Sequence, residues 1–200
     1  MEVRRLQNFT LTAMTPLSAM SWVWITWAVS WAVAAAWANR TEARPTVSAE
    51  LLYRVVTMAG IGLLFVAARM AHPGPRFWHT PPPVGWCLVA LTFAGFAFCW
   101  WARIHLGRLW SSSVTRKSDH RIIDTGPYSL VRHPIYTGII TAALAMAANQ
   151  ATLGALIGLA LVIVGFWIKA RLEERFLRQE LGAEVYDAYT RRTGMLVPRL

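Results

Sequence analysis

Charge is what this sequence has least of. Only 15% of its 200 residues are charged, against about 25% in an ordinary soluble domain. Hydrophobic residues make up 56%. That balance excludes a soluble domain and suits one bundle of about five or six membrane helices. Acidic residues are scarcer still, ten against twenty Lys and Arg, for a formal charge of +10. The excess does not point to nucleic acid, because the basic residues flank apolar runs instead of forming one solvated face. Cysteine is nearly missing. Cys87 and Cys99 are twelve residues apart in one apolar run, about 18 Å along a helix and too far to bridge. No CxxC or Cys/His ligand spacing occurs, and His72 and His79 have no third ligand nearby, so no metal site is expected. Charges are also missing inside the last three apolar runs, which speaks against a pore or a scaffolding channel.

What is present is a series of apolar runs. Residues 17–38 carry five Trp, which suit interfacial belts and helix contacts. At 22 residues this run exceeds the h-region of a signal peptide, about 7–15, and reads as a retained span despite Arg4, Arg5 and the Ala34-Ala35-Ala36 triplet. Residues 51–68 and 84–102 make two more spans; Arg54 is near enough to an end to snorkel. The fourth run, 135–148, has 14 residues, about 21 Å against a hydrocarbon core of about 30 Å. Asn149-Gln150 reads as a polar break, and 151–168 follows at once. The last two spans therefore predict a tight helical hairpin. Past Lys169 the helical pattern runs on into a polar tail, with Glu174 and Arg178 at i, i+4 and Gly182 as a break or kink. The expected fold is an all-α integral membrane protein of about five transmembrane helices, with a C-terminal hairpin and a cytosolic helical tail. Residues 1–105 would form a three-span bundle and 106–200 a cofactor-binding region of the same domain.

Five spans set the sides. Arg4, Arg5, Arg69 and Arg76 fall on one face and the other sixteen basic residues on the opposite one. The positive-inside rule makes the second face cytoplasmic, with the N-terminus outside and the C-terminus inside.

The chemistry concentrates in 124–138, DTGPYSLVRHPIYTG. Gly126-Pro127 reads as a turn and Pro134 as the first residue of a helix. Arg132, His133 and Tyr136 then fall where a polar loop enters an apolar helix. Helix N-termini offer free N–H groups, and with Arg132 they suit a carboxylate or phosphate. The bland alternative is that Arg132 snorkels and His133 caps the helix. Glu173, Glu174, Tyr186 and Tyr189 belong to the tail on the same face. They read either as solvated helix residues or as groups for a mixed-charge ligand. Carboxylates accept from ribose hydroxyls or an ammonium, and tyrosine faces attract a sulfonium.

These residues also carry a resemblance. Leu106-Gly107 with Trp110-Ser111, Gly126-Pro127-Tyr128, Val131-Arg132-His133-Pro134 with Tyr136 and Gly138, then Glu173-Glu174, Gly182, Tyr186, Tyr189 and Val197-Pro198 follow in order and spacing. In these the run 106–199 resembles the isoprenylcysteine carboxyl methyltransferase family of membrane enzymes. A Phe-Gly common in that family is Leu181-Gly182 here. The resemblance implies S-adenosyl-L-methionine as cofactor and S-adenosyl-L-homocysteine as product. It implies a cofactor pocket of Tyr128, His133, Pro134, Tyr136 and Gly138 closed by Glu174, Tyr186 and Tyr189, with Arg132, Glu173 and His133 in the catalytic roles. It further implies a lipidic methyl acceptor entering from the bilayer, foremost a prenylcysteine-like carboxylate. Phospholipid or small-molecule N- or S-methylation is the alternative. Arg132 would hold the carboxylate of the acceptor or of the cofactor; the residues do not choose. An NADPH-dependent sterol-type reductase shares an Arg-His-Pro stretch but carries Asn and Glu where this chain has Ile135 and Ile139.

Overall fold

The computed structural model describes residues 14–35, 47–69, 75–107 and 123–199. Arg4 and Arg5, the end of the first run with Trp37, the 41–45 connection, His72, and the basic stretch 108–122 with Trp110-Ser111 lie outside the described residues.

Among the described residues seven helices follow in order: α1 Pro16–Ala35, α2 Val47–Arg69, α3 Pro82–Leu106, α4 Pro127–Leu130, α5 Pro134–Gln150, α6 Leu153–Leu181 and α7 Ala183–Arg192. Four are long and apolar enough to cross a membrane: α1, α2 from Glu50, α3 and α6. This is an all-α integral membrane fold. Large apolar side chains stay open on the outer faces, such as Trp22 at 61%, Met58 at 65% and Phe93 at 66% exposed. Rings of apolar surface on that scale suit lipid contact, not water.

The helices pair by shape. α5 packs along α3, and α6 along α2. A β-carbon on Gly95 would stand 2.6 Å from the Gly138 carbonyl oxygen, and one on Gly60 would stand 2.7 Å from that of Gly158. Small residues at these crossings bring backbones into direct contact, the usual way helices associate where lipid is as apolar as their side chains. Around the seams lies a core of Met20, Trp24, Leu64, Phe96, Ala142, Ala143 and Met146. Four of the five Trp of the first run fall in α1. Trp24 sits edge-on to Phe65 and Phe96, and Trp27 stacks on Phe96 at 4.5 Å.

The hairpin differs from expectation at its turn. Asn149 and Gln150 do not break the helix; both belong to α5, and the chain reverses at Ala151-Thr152. Gln150 is buried because its Nε2 donates to the Leu64 carbonyl across the bundle at 3.1 Å. Ala151 takes the left-handed conformation, and the Thr152 hydroxyl accepts from the Ala155 N–H to cap α6. α5 is thus 17 residues, about 25 Å and still the shortest of the bundle helices. Beyond the apolar stretch α6 runs on unbroken to Leu181, as the continuous pattern implied, and stops at Gly182, whose φ of 90° suits glycine.

Candidate active site

One end of the bundle is polar. The start of α5 and the far end of α6 meet there, so 131–136 faces Glu173 and Glu174. The Arg132 Nε donates to Glu174 Oε1 at 2.7 Å. Its Nη1 donates to the carbonyls of Thr190 and Thr193. The His133 ring lies between both carboxylates, Nδ1 3.4 Å from Glu173 Oε2 and Nε2 3.3 Å from Glu174 Oε1. The Tyr136 hydroxyl donates to Glu173 Oε1 at 2.6 Å. The expected meeting of the basic loop with the acidic helix is therefore observed.

Two bland readings from the sequence do not hold. Arg132 does not snorkel, because Glu174 and two carbonyls take its guanidinium. His133 occupies the N-cap position of α5 but makes no side-chain cap, because its ring is committed to the carboxylates. The backbone just ahead of α5 is not open to an anion either. The N–H of Arg132 donates to the Gly194 carbonyl at 2.8 Å and that of His133 to Met195 at 3.1 Å. With the Thr137 hydroxyl on the Leu196 carbonyl at 2.8 Å, these bonds lay the C-terminal tail beside 131–133.

Aromatic rings form a column under the carboxylates. His133 stacks on Tyr136 at 5.2 Å with 5° between the planes, and Tyr136 on Phe166 at 4.9 Å. Burial draws the His133 imidazole down, but its hydrogen bonds to Glu173 and Glu174 outweigh this and hold it above its ordinary value. Pro134 is the first residue of α5, as expected.

A second group of rings sits alongside. Gly126, at φ 58°, turns the chain into α4, which holds Tyr128. The Tyr189 hydroxyl donates to the Tyr128 carbonyl at 2.8 Å, and Tyr186 meets Tyr189 edge-on at 6.2 Å. Burial raises the phenols of Tyr128, Tyr186 and Tyr189 above their ordinary value, so they act as neutral donors and surfaces. Gly138 stands apart from this ring of polar groups. It lies in the α3–α5 seam, where a side chain would collide with Gly95 and Cys99.

Sequence reading passed over Lys169, Phe166 and the carbonyls of 193–195. Lys169 had a readable signal, since it precedes Glu173 by four residues and so shares its helix face. The tail carbonyls had none, since backbone groups carry no residue code.

Comparison with known proteins bears on this geometry. Residues 88–179 match the model of the isoprenylcysteine carboxyl methyltransferase (ICMT) family. This stretch, a little under half of the chain, is similar to the ICMT family. It runs from α3 to near the end of α6 and contains Arg132, His133, Tyr136, Glu173 and Glu174. Three curated proteins are similar to the chain. The nickel-cobalt-cadmium resistance protein NccN of Alcaligenes xylosoxydans xylosoxydans is 31% identical over 120 residues, 58% of this chain and 53% of that protein. The cobalt-zinc-cadmium resistance protein CzcN of Cupriavidus metallidurans is 32% identical over 97 residues, 48% of this chain and 44% of that protein. The methanethiol S-methyltransferase of a Pseudomonas species is 43% identical over 72 residues, 36% of this chain and 26% of that protein. The chain thus spans about half the length of the first two relatives and about a quarter of the third. Among the described residues no group of three or more His, Cys, Asp or Glu is set to hold a metal ion.

Proposed function

We propose that this chain, which resembles the ICMT family over residues 88–179, is a membrane methyltransferase that uses S-adenosyl-L-methionine and gives S-adenosyl-L-homocysteine. The observation that carries the reading is the contact of Arg132 and His133 with the carboxylates Glu173 and Glu174 at the polar end of a lipid-facing bundle. The residues suit that cofactor in chemical type. Glu173 and Glu174 would accept from ribose hydroxyls or an ammonium, Arg132 would meet a carboxylate, and the faces of Tyr186 and Tyr189 would attract a sulfonium. Arg132, His133, Pro134 and Tyr136 with Glu173 and Glu174 would hold it, with Tyr128, Tyr186 and Tyr189 beside them.

When bound, S-adenosyl-L-methionine supplies a methyl group on a cationic sulfur, open to in-line attack by a nucleophile. The protein aligns that nucleophile and strips it of water. A carboxylate acceptor needs no base. A thiol or amine acceptor gives up a proton, and Glu173, oriented by the Tyr136 hydroxyl, or His133 takes it. The acceptor that the family name suggests is a prenylcysteine-like carboxylate reaching the site from the bilayer. The likeness to a methanethiol S-methyltransferase favours a second acceptor, a thiol. The charge asymmetry of the loops supports a site on the cytoplasmic side of an inner membrane. The metal-resistance names of the other relatives state no reaction, and no metal role is proposed.

The test is made on the full chain in lipid nanodiscs. Calorimetry with S-adenosylhomocysteine and with NADPH separates this reading from a reductase. Labelled methyl transfer is then assayed to a farnesylcysteine analogue, a short alkyl thiol and phosphatidylethanolamine. Binding of S-adenosylhomocysteine with transfer to any of the three is the expected result. Binding of NADPH instead, or no transfer to any, overturns it.

A further inference from the structure

Lys169 is a charged side chain that the chemistry above leaves unused. It follows the apolar run Phe166-Trp167-Ile168 and stands one helical turn nearer the middle of the bundle than Glu173. Its side chain is 12% exposed. Its Nζ lies 5.0 Å from the centre of the Tyr136 ring and 5.5 Å from that of Tyr53 on α2. Glu173 Oε1 is 4.0 Å away. This ion pair is longer than its neighbours, Arg132 with Glu174 at 2.7 Å and Arg54 with Glu50 at 2.8 Å. Glu173 moreover keeps the Tyr136 hydroxyl and His133 if Lys169 turns to another anion. Turning Lys169 to another anion thus does not strand Glu173.

Resting on the methyltransferase reading, we infer that Lys169, walled by Tyr53 and Tyr136, receives the anionic head of the methyl acceptor, a thiolate or carboxylate on an apolar tail. The ammonium lies between the apolar half of α6 and the carboxylate pair, on the line a membrane-borne acceptor takes to the polar end. It pulls a thiol toward its nucleophilic thiolate, and it holds an acceptor that is already a carboxylate. The two rings offer apolar surface to the first carbons of the tail. The same charge repels an alkylammonium, so the site selects against amine acceptors such as phosphatidylethanolamine.

Lys169→Met, Lys169→Gln and Lys169→Arg test this in nanodiscs. The probes are S-adenosylhomocysteine for binding, and a farnesylcysteine analogue, an alkyl thiol and an alkylamine of matched tail for transfer. We expect Lys169→Met and Lys169→Gln to bind S-adenosylhomocysteine within about twofold of wild type, while KM for the thiol or the carboxylate rises roughly tenfold and kcat changes less. Lys169→Arg restores most of the KM, and the amine gains relative to the anionic probes in the uncharged variants. Whichever of thiol and carboxylate shows the KM change names the acceptor. An unchanged KM in Lys169→Met overturns the inference, as does loss of S-adenosylhomocysteine binding in both uncharged variants, which marks a structural or cofactor-holding lysine. If wild type transfers the label and Lys169→Met matches it, this inference alone falls. If wild type fails to bind S-adenosylhomocysteine, or transfers to none of the probes, the methyltransferase reading falls and takes it along.

Discussion

In the middle of the bundle α5 meets α3 backbone to backbone, where Gly138 and Gly95 leave no room for a β-carbon. At its polar end the same helix is held by charge, with His133 and Tyr136 reaching to Glu173 and Glu174 of α6. The first contact is made of shape. It ignores pH and salt but not a single added methyl group. The second is made of paired charges and tolerates small changes of volume, but not the loss of one partner. A membrane enzyme gains from this division. Seams fixed by shape leave the polar end as the part that answers to a ligand.

The hardest test of the charge-made end is Arg132→Ala. It strips Glu174 of its 2.7 Å partner and cuts the guanidinium ties to Thr190 of α7 and to Thr193 just past it. Breaking a buried pair by removing one partner costs about 3–5 kcal/mol. A large drop in the melting temperature of the detergent-purified protein is expected, with loss of S-adenosylhomocysteine binding by calorimetry. Arg132→Lys should rescue little, because one ammonium cannot serve a carboxylate and two carbonyls at once. Wild-type binding and turnover in Arg132→Ala would remove the core of the proposed site.

The shape-made seam is tested by a pair of glycines. Gly138→Ala drives a methyl group into Gly95 and Cys99, an overpacking that costs about 1–3 kcal/mol. Gly62→Ala, on α2, meets nothing within 4 Å and should be neutral or gain up to about 1 kcal/mol from helix propensity. Denaturation of the two variants side by side gives the contrast. Equal stability would mean that α3 and α5 are not in backbone contact.

The two regions were also legible to different degrees. The spans could be read because long apolar runs admit few other structures. The end of α5 could not, since Asn149-Gln150 carries every local sign of a turn. Distant groups hold that end instead, Gln150 on the Leu64 carbonyl, and Phe77, Trp78 and Thr80 on the carbonyls of Ala148, Asn149 and Ala151. The polar end was legible where its residues form a compact motif, as from Arg132 to Tyr136, or a doublet, as Glu173-Glu174. Lys169 was passed over despite its i, i+4 spacing to Glu173, because a lysine closing an apolar run reads as a membrane boundary whether or not it faces inward. The C-terminal tail was hidden for another reason. It joins 131–133 through backbone groups, so no spacing of side chains foretells the contact.

His133 gives the charge-made end a pH signature. Burial lowers its proton affinity, the carboxylates raise it more, and the folded value ends above the ordinary 6.5. A group raised on folding contributes its stability in full below its ordinary value and loses it as pH climbs through the raised one. The melting temperature of wild type should therefore exceed that of His133→Asn most below the ordinary 6.5, with the gap narrowing as pH climbs above it. The Gly138→Ala deficit, being steric, should stay flat over the same range. A His133→Asn gap that is constant or widens with pH would show that Glu173 and Glu174 do not raise the proton affinity of the imidazole.

The smallest effect belongs to a charge pair outside both regions. Arg178 near the end of α6 grips Asp187 of α7 through two hydrogen bonds of 2.9 Å. Each group shifts the other, the arginine held above its ordinary value and the aspartate below. Yet both face solvent, where water and salt screen the attraction and two long side chains must be ordered to keep it. Asp187→Asn keeps the shape and removes the charge, and should leave melting temperature, S-adenosylhomocysteine binding and turnover within error of wild type. Adding salt should change none of these. A clear loss of cofactor affinity in this variant would show that the Arg178–Asp187 pair fixes the position of Tyr186 and Tyr189, and would extend the charge-made region from the polar end of the bundle onto α7.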